Sequence, residues 1–386
     1  MKKIAVIFGT RPDAIKLAPL IKELQKYPHY FSLVTIATAQ HRQMLDDVLT
    51  VFNVAPTYDL DVMSENQSLS TVTQLLLSKL DNVLKQETPN MVIVQGDTAT
   101  TFAAALSAFY HKIPVAHVEA GLRTNEKYYP FPEEIFRRLT TQLTDLHFTP
   151  TVKADKDLLK EGIRPDAIYR SGNTVIDALH LTLKLTKEVG NPTLSNIFDE
   201  KKKIVVVTAH RRENWGEPMK HICEALHTLA LNNPHVSFVF PVHLNPIVRE
   251  IVFPVLRGVR NIHLLDPLRY SEFAHLLKRS YMVLTDSGGL QEEAPSLGKP
   301  VLVMRDVTER PEAVKYGTVR LVGTNKENII ATAQQLLINP RLYRSMATAV
   351  NPYGDGKASV RIVSALLHYF GYSKKRLKEF SPRKRK

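Results

Sequence analysis

Residues 281–310, YMVLTDSGGLQEEAPSLGKPVLVMRDVTER, read as one strand–helix–strand unit. The run from Tyr281 to Thr285 is a buried strand, Ser287-Gly288-Gly289 is a sharp turn that opens a helix, and KPVLVM (299–304) is a second strand. Near-continuous β-branched runs are what parallel strands covered on both faces look like. The stretch also suggests chemistry. Backbone N–H groups at the helix opening face an anion, and two glycines let that anion come close. Glu293, one helical turn further in, can accept from two neighbouring hydroxyls, which suits a diphosphate followed by a ribose. An ordinary helix start with an exposed glutamate has the same local sequence, so the rest of the chain must decide.

Outward from this unit the alternation continues. IAVIF (4–8), FSLVTIAT (31–38), MVIVQ (91–95) and PVAHVE (114–119) form one strand series, separated by helical patterns. After about residue 172 it restarts with KIVVVT (203–208), VSFVFPV (236–242), NIHLL (261–265) and the two strands above. The expected fold class is α/β: two Rossmann-like, doubly wound domains, 1–172 and 173–356. The polar stretch 186–203 has the composition of an interdomain connection, and a last amphipathic helix spans about 357–372. A chain of 386 residues fits two domains, and 44% hydrophobic with 23% charged residues is ordinary globular composition.

The net charge is +13, and the segment 374–386 carries a local +7 of it. This basic tail (373–386) reads as a frayed, disordered terminus rather than a nucleic-acid site, because one aromatic residue offers little for bases to stack on. The remaining excess suits a polyanionic small molecule. Cys223 is the only cysteine, so an intrachain disulfide is excluded and a reducing cytoplasm fits. The start, MKKIAVIFGTRPD, is interrupted too early for a signal peptide, and no run approaches the roughly 18 apolar residues of a membrane span, so stable membrane insertion is not expected.

Several strand ends carry chemistry. The first ends in Gly9-Thr10-Arg11-Pro12-Asp13, with Lys16 a turn later, and lacks the G-x-G-x-x-G that NAD would want. Asp97, in Gln95-Gly96-Asp97-Thr98, reads in isolation as a helix N-cap. Glu119 ends the next strand, and Glu133 and Glu134 open a helix after Pro130-Phe131-Pro132. Together these acids can supply an acid, a base and a cation-stabilising carboxylate. In the second half His210, Arg211, Arg212, His243 and Arg310 form a basic collar around the Ser287-Gly288-Gly289 turn. No zinc motif, Walker loop or G-x-S-x-G elbow is present, so no metal is called.

FGTRPDAIKLAPL, TAQHRQMLD, GDTATT, HVEAGLRT, PEE, TAHRRENWGEP, PVHLNP, TDSGGLQEEAPSLGKPVLVMRDVTERPEA and NPYGDG occur in this order. From Ile4 to about Tyr369 the chain resembles the non-hydrolysing UDP-N-acetylglucosamine 2-epimerases of bacteria. The resemblance implies a GT-B-like domain pair with the active site in the interdomain cleft and the final helix crossing back to the first domain. It implies interconversion of UDP-GlcNAc and UDP-ManNAc through 2-acetamidoglucal, without NAD or another cofactor, in a cytoplasmic homodimer that supplies ManNAc for surface polysaccharide or teichoic acid linkage units. By position it makes Asp97, Glu119, Glu133 and His210 catalytic. Arg11, Lys16, Leu268, Phe273, Ser287, Gly288, Gly289, Glu293 and Arg310 become substrate contacts, with Glu293 a ribose clamp. Gln40, His41, Gln67, Arg211 and His243 fit a second, activating UDP-GlcNAc site, although Asn66 stands where an Arg is expected. Gln95, Ala99 and Phe136 depart from the usual His, Thr and Asn. A hydrolysing epimerase, a GT-B glycosyltransferase and a non-catalytic nucleotide-sugar sensor are the competing readings.

Overall fold

The computed structural model describes residues 1–38, 42–63, 67–186 and 190–382, with 42–44 by backbone alone, and divides into two units. The first comprises Met1–Leu185 and Tyr353–Ser381, and the second Thr186–Pro352.

Among the described residues the first unit holds seven strands: β1 (Lys2–Phe8), β2 (Phe31–Ala37), β3 (Tyr58–Asp59), β4 (Met91–Gln95), β5 (Val115–Val118), β6 (Leu146–Thr149) and β7 (Ile168–Arg170). They pair in parallel in the order β3-β2-β1-β4-β5-β6-β7. The strand order reverses between β1 and β4, which opens a crevice at their C-terminal ends. Ala5 and Ile7 pack with Leu76, Ala103 and Ala104. The alternate residues Ile4, Val6 and Phe8 are buried too, so helices cover both faces of β1. The helix Ala99–Tyr110 buries small residues, and its neighbour Leu69–Glu87 packs closely against it.

The second unit repeats the plan with β8 (Lys203–Thr208), β9 (Val236–Pro241), β10 (Ile262–Leu265), β11 (Met282–Thr285), β12 (Val301–Val303) and β13 (Val319–Leu321). Their order is β10-β9-β8-β11-β12-β13, again parallel, with the reversal between β8 and β11. Val205, Phe238 and Leu284 pack with Cys223 from the helix Glu217–Asn232. Burial pushes the Cys223 thiol up to about 12, so it behaves as an inert core residue.

Three features differ from the expected organisation. The helix Thr174–Leu185 completes the first unit, so the restart comes after Leu185 rather than 172, because its Val175, Ile176 and Leu179 are buried there. The connection 186–203 contains the helix Pro192–Asp199, which buries Leu194 and Ile197. The segment from Lys374 to Ser381 is not a loose terminus: Phe380 is buried, and its backbone N–H donates to the Arg170 carbonyl at 2.8 Å. The last helix, Ala358–Tyr369, lies in the first unit, where Asp177 accepts from the N–H groups of Ala358 and Ser359 at 3.1 and 2.8 Å. No helix among the described residues is long and apolar enough to cross a membrane.

Candidate active site

In the first unit the sequence-predicted residues gather at the strand ends beside the β1/β4 reversal. Gly9 leads out of β1 where any side chain would collide with the Thr38 and Thr100 hydroxyls, which bond each other at 2.8 Å. Thr10 caps the helix Arg11–Leu24 in a capping box with Asp13. The buried Asp13 carboxylate accepts from Gly9 N at 3.3 Å, Thr10 N at 3.1 Å and the Thr98 hydroxyl at 3.3 Å. One oxygen thus ties the loop after β1 to the loop after β4.

Asp97 is not the N-cap of the helix that follows. Thr98 takes that role, its hydroxyl accepting from Thr101 N, and Asp97 instead pairs with Arg137, whose Nε and Nη2 lie 2.7 and 2.6 Å from Oδ2. Beneath this turn the buried His117 donates through Nε2 to the Gly96 carbonyl at 2.7 Å. Burial pushes His117 down to about 4, so it stays neutral and fixed.

Glu119 sits just after β5 with φ +65°, a left-handed backbone that costs a non-glycine residue on the order of 1–3 kcal/mol. Three side chains donate to it: Lys16 and Gln95 to Oε2, and Asn173 to Oε1 at 2.9 Å. Lys16, which the resemblance made a substrate contact, is engaged here by a carboxylate. The departure at Gln95 has a use here, since its amide supplies one of the donors. Phe136 is a core residue, stacked on Phe102 at 5.4 Å between ring centroids, and Ala99 is buried at the helix start.

The two glutamates at the start of the helix Glu133–Leu143 separate cleanly. Glu134 is buried and accepts from Thr124 N, Asn125 N, Arg137 and Arg138. Burial would raise its carboxyl, but the backbone bonds and the Arg137 charge outweigh that and hold it below the ordinary range. Glu133 has a buried Oε2 that meets no hydrogen-bond partner among the described residues. Of the pair, Glu134 is the one anchored by donors from the preceding loop and its own helix.

In the second unit Asp286, which the sequence reading passed over, organises the site. This buried carboxylate accepts from His210 N and Arg211 N, both at 2.8 Å, and from Asn214 Nδ2 at 3.1 Å. Its other oxygen lies 3.4 Å from His210 Nδ1. Burial lowers the His210 pKa, opposed by the Asp286 charge, and the ring stacks on His243 with centroids 5.7 Å apart. The signal for Asp286 was its place at the end of a buried strand, directly before the glycine turn.

The basic collar is mixed in charge. Arg211 lies near Glu213 and Glu309, Arg305 contacts the same two glutamates, and Arg310 Nε donates to Glu292. Gly288 and Gly289 do not have positive φ. What they lack is bulk, since a Cβ on Gly288 would come 3.6 Å from Arg211 Nη2 and 3.9 Å from Glu309 Oε2. Ser287 N donates to the Thr285 hydroxyl at 2.9 Å. Glu293 accepts from the Tyr270 hydroxyl at 3.2 Å, and Phe273 lies one turn beyond Tyr270 on the helix Tyr270–Arg279. Leu268 is half-buried in the loop before that helix. Of the residues assigned to an activating site, Gln67 donates to the Val62 carbonyl at 3.1 Å. Gln40 and His41, with Asn66, lie outside the described residues.

This arrangement has known counterparts. The family model for UDP-N-acetylglucosamine 2-epimerase matches residues 22–367. The UDP-N-acetylglucosamine 2-epimerase of Bacillus subtilis is 51% identical over 383 residues, which is 99% of this chain and 100% of that protein. S. aureus MnaA, solved with UDP, superposes with a TM-score of 0.89 at 46% identity, covering 99% of this chain and 100% of that one. The Neisseria meningitidis UDP-GlcNAc 2-epimerase, solved with UDP-GlcNAc, superposes with a TM-score of 0.86 at 49% identity, covering 95% of this chain and 100% of that one.

Proposed function

The chain belongs to the UDP-N-acetylglucosamine 2-epimerase family, and from that premise we propose that it interconverts UDP-GlcNAc and UDP-ManNAc without hydrolysis. The C2 proton is not acidic, because no carbonyl adjoins C2. Removing it becomes feasible when the anomeric bond is already breaking. A base takes the C2 proton, the C1–O bond breaks with its electron pair leaving on the β-phosphate oxygen of UDP, and C1=C2 forms in 2-acetamidoglucal. UDP then adds back while a proton reaches the other face of C2. No hydride, oxidant or water is consumed, so the balance calls for no NAD or other cofactor.

The observation that carries this reading is the set of three distinct carboxylates in the first unit. Asp97 rests on Arg137, Glu119 takes donors from Lys16, Gln95 and Asn173, and Glu133 keeps a buried oxygen that meets no partner among the described residues. Different surroundings suit different roles in moving a proton and stabilising a cationic ring. In the second unit His210, Arg310 and the Ser287–Gly289 amides serve the departing diphosphate, and Arg11 is a substrate contact by its position in the family motif. Glu293 takes the ribose hydroxyls, and Leu268 and Phe273 lie toward the base. The same reading places the enzyme in the cytoplasm as a homodimer that supplies ManNAc for surface polysaccharide or teichoic acid linkage units. Gln40, His41, Gln67, Arg211 and His243 keep an activating UDP-GlcNAc role on the family resemblance alone, which a sigmoidal rate curve in UDP-GlcNAc would support.

The test is product identity by NMR together with the Asp97→Asn variant. UDP-ManNAc as the product, with turnover lost and UDP binding kept in Asp97→Asn, supports the reading. Free ManNAc points to a hydrolysing epimerase, transfer to an added acceptor points to a glycosyltransferase, and unchanged UDP-GlcNAc points to a sensor.

A further inference from the structure

The chain's C-terminal segment reaches the scaffold of Glu119. β7 is an edge strand, and an edge leaves unpaired backbone groups that must be covered. Phe380 covers it: its N–H donates to the Arg170 carbonyl at 2.8 Å and its carbonyl accepts from Arg170 Nε at 2.6 Å. Around this pair, Tyr169 donates to the Leu377 carbonyl, Arg376 lies 4.7 Å over the Tyr169 ring, Glu379 meets Arg170 at 3.3 Å, and Leu377 N donates to the Ser364 hydroxyl at 2.9 Å. The Phe380 ring is 3% exposed and has the Arg361 guanidinium 5.6 Å above it.

Next in the chain after Arg170 and Ser171 comes Gly172, at φ +85°, where a Cβ would meet the Phe380 ring and the Tyr353 carbonyl in van der Waals contact, both at 3.4 Å. Asn173 follows. Its N–H donates to that same Tyr353 carbonyl at 2.7 Å, and its side-chain amide donates to Glu119 Oε1 at 2.9 Å. Phe380 therefore packs on the turn that aims Asn173, and Asn173 holds one oxygen of a carboxylate whose own backbone is in a left-handed conformation. Without Asn173 that oxygen loses a donor, and without the ring the turn at Gly172 loses the surface it rests on.

We propose that the C-terminal segment ending in Phe380 is a strap that positions Glu119, acting through Gly172 and Asn173. Phe380 and Asn173 touch no substrate in this proposal and are positioning residues. It rests on the reading of Glu119 as a catalytic carboxylate.

The experiment measures kcat, KM and thermal midpoint for Phe380→Ala, Asn173→Ala, their double variant and Glu119→Gln in the full chain. A misplacement of about 1 Å costs about 100-fold in rate, so Asn173→Ala loses on the order of that and Phe380→Ala about tenfold, with KM little changed. Residues acting along one line are not additive, so the double variant is no slower than Asn173→Ala alone. Phe380→Leu keeps the apolar contact and the fold, and restores most of kcat. A Phe380→Ala enzyme with unchanged kcat overturns the strap, as does a double variant whose losses multiply or a Phe380→Leu enzyme as slow as Phe380→Ala. If Glu119→Gln still turns over at the full rate, the role of Glu119 itself has failed. An inactive Glu119→Gln beside an unaffected Phe380→Ala removes only the strap.

Discussion

Asp13 has two pH effects of opposite sign. Burial pushes its carboxyl up to about 6 from an ordinary 3.8, against the Thr10 and Gly9 bonds and the Lys16 charge. Protonation weakens the charge-assisted bonds that join the loops after β1 and β4. The rate kcat/KM should therefore fall as pH drops through about 6, and Asp13→Asn should flatten that limb of the pH–rate profile. Stability moves the other way for this group. Between 3.8 and about 6 the native state binds more protons than the unfolded chain, so its contribution to stability declines as pH rises across that window and is constant above it. The glutamate pair gives a sharper contrast. Glu134→Gln faces four donors with an amide and should cost roughly 3 kcal/mol in urea unfolding. Glu133→Gln should leave the unfolding midpoint nearly unchanged and abolish turnover. Sequence placed both glutamates at a helix start but could not separate them, because their difference lies in Thr124, Asn125 and Arg138, which reach only one of the two.

At the scale of elements, the helix Glu133–Leu143 shows how one segment divides its work. Arg137 reaches Asp97, Glu134 anchors the preceding loop, and Phe136 enters the core against Phe102. Phe136→Asn should lower stability by roughly 2–4 kcal/mol, through lost aromatic burial and a polar group in the core, as read by denaturant midpoint. The long strands and amphipathic helices were legible because their apolar runs are continuous or periodic. β3, β6, β7 and β13 were not, since YD, LHFT, IYR and VRL offer no continuous apolar run and are too short for an alternation to stand out. β7 also shows why the tail was misread. Its charge predicts solvation, but Phe380 is the one aromatic residue in it, and the β7 edge offers that ring a buried seat.

On the scale of the whole molecule, each unit places its chemistry where its strand order reverses. The first turn of the helix after β1 carries Arg11 and Asp13, the loop after β4 carries Asp97, and the loops after β8 and β11 carry His210, Asp286 and Ser287. That placement was readable from strand ends alone. The pairing within each site was not, because Arg137, Asn173 and Asp286 reach their partners across 40, 54 and 76 residues. The central claim, that the C2–H bond breaks and re-forms while UDP leaves and returns, has a direct test. UDP-GlcNAc is incubated with the enzyme in D2O and followed by NMR. The account predicts UDP-ManNAc carrying deuterium at C2, with the same label appearing in the recovered UDP-GlcNAc. UDP-ManNAc that keeps its original C2 proton, or free ManNAc in its place, would contradict it.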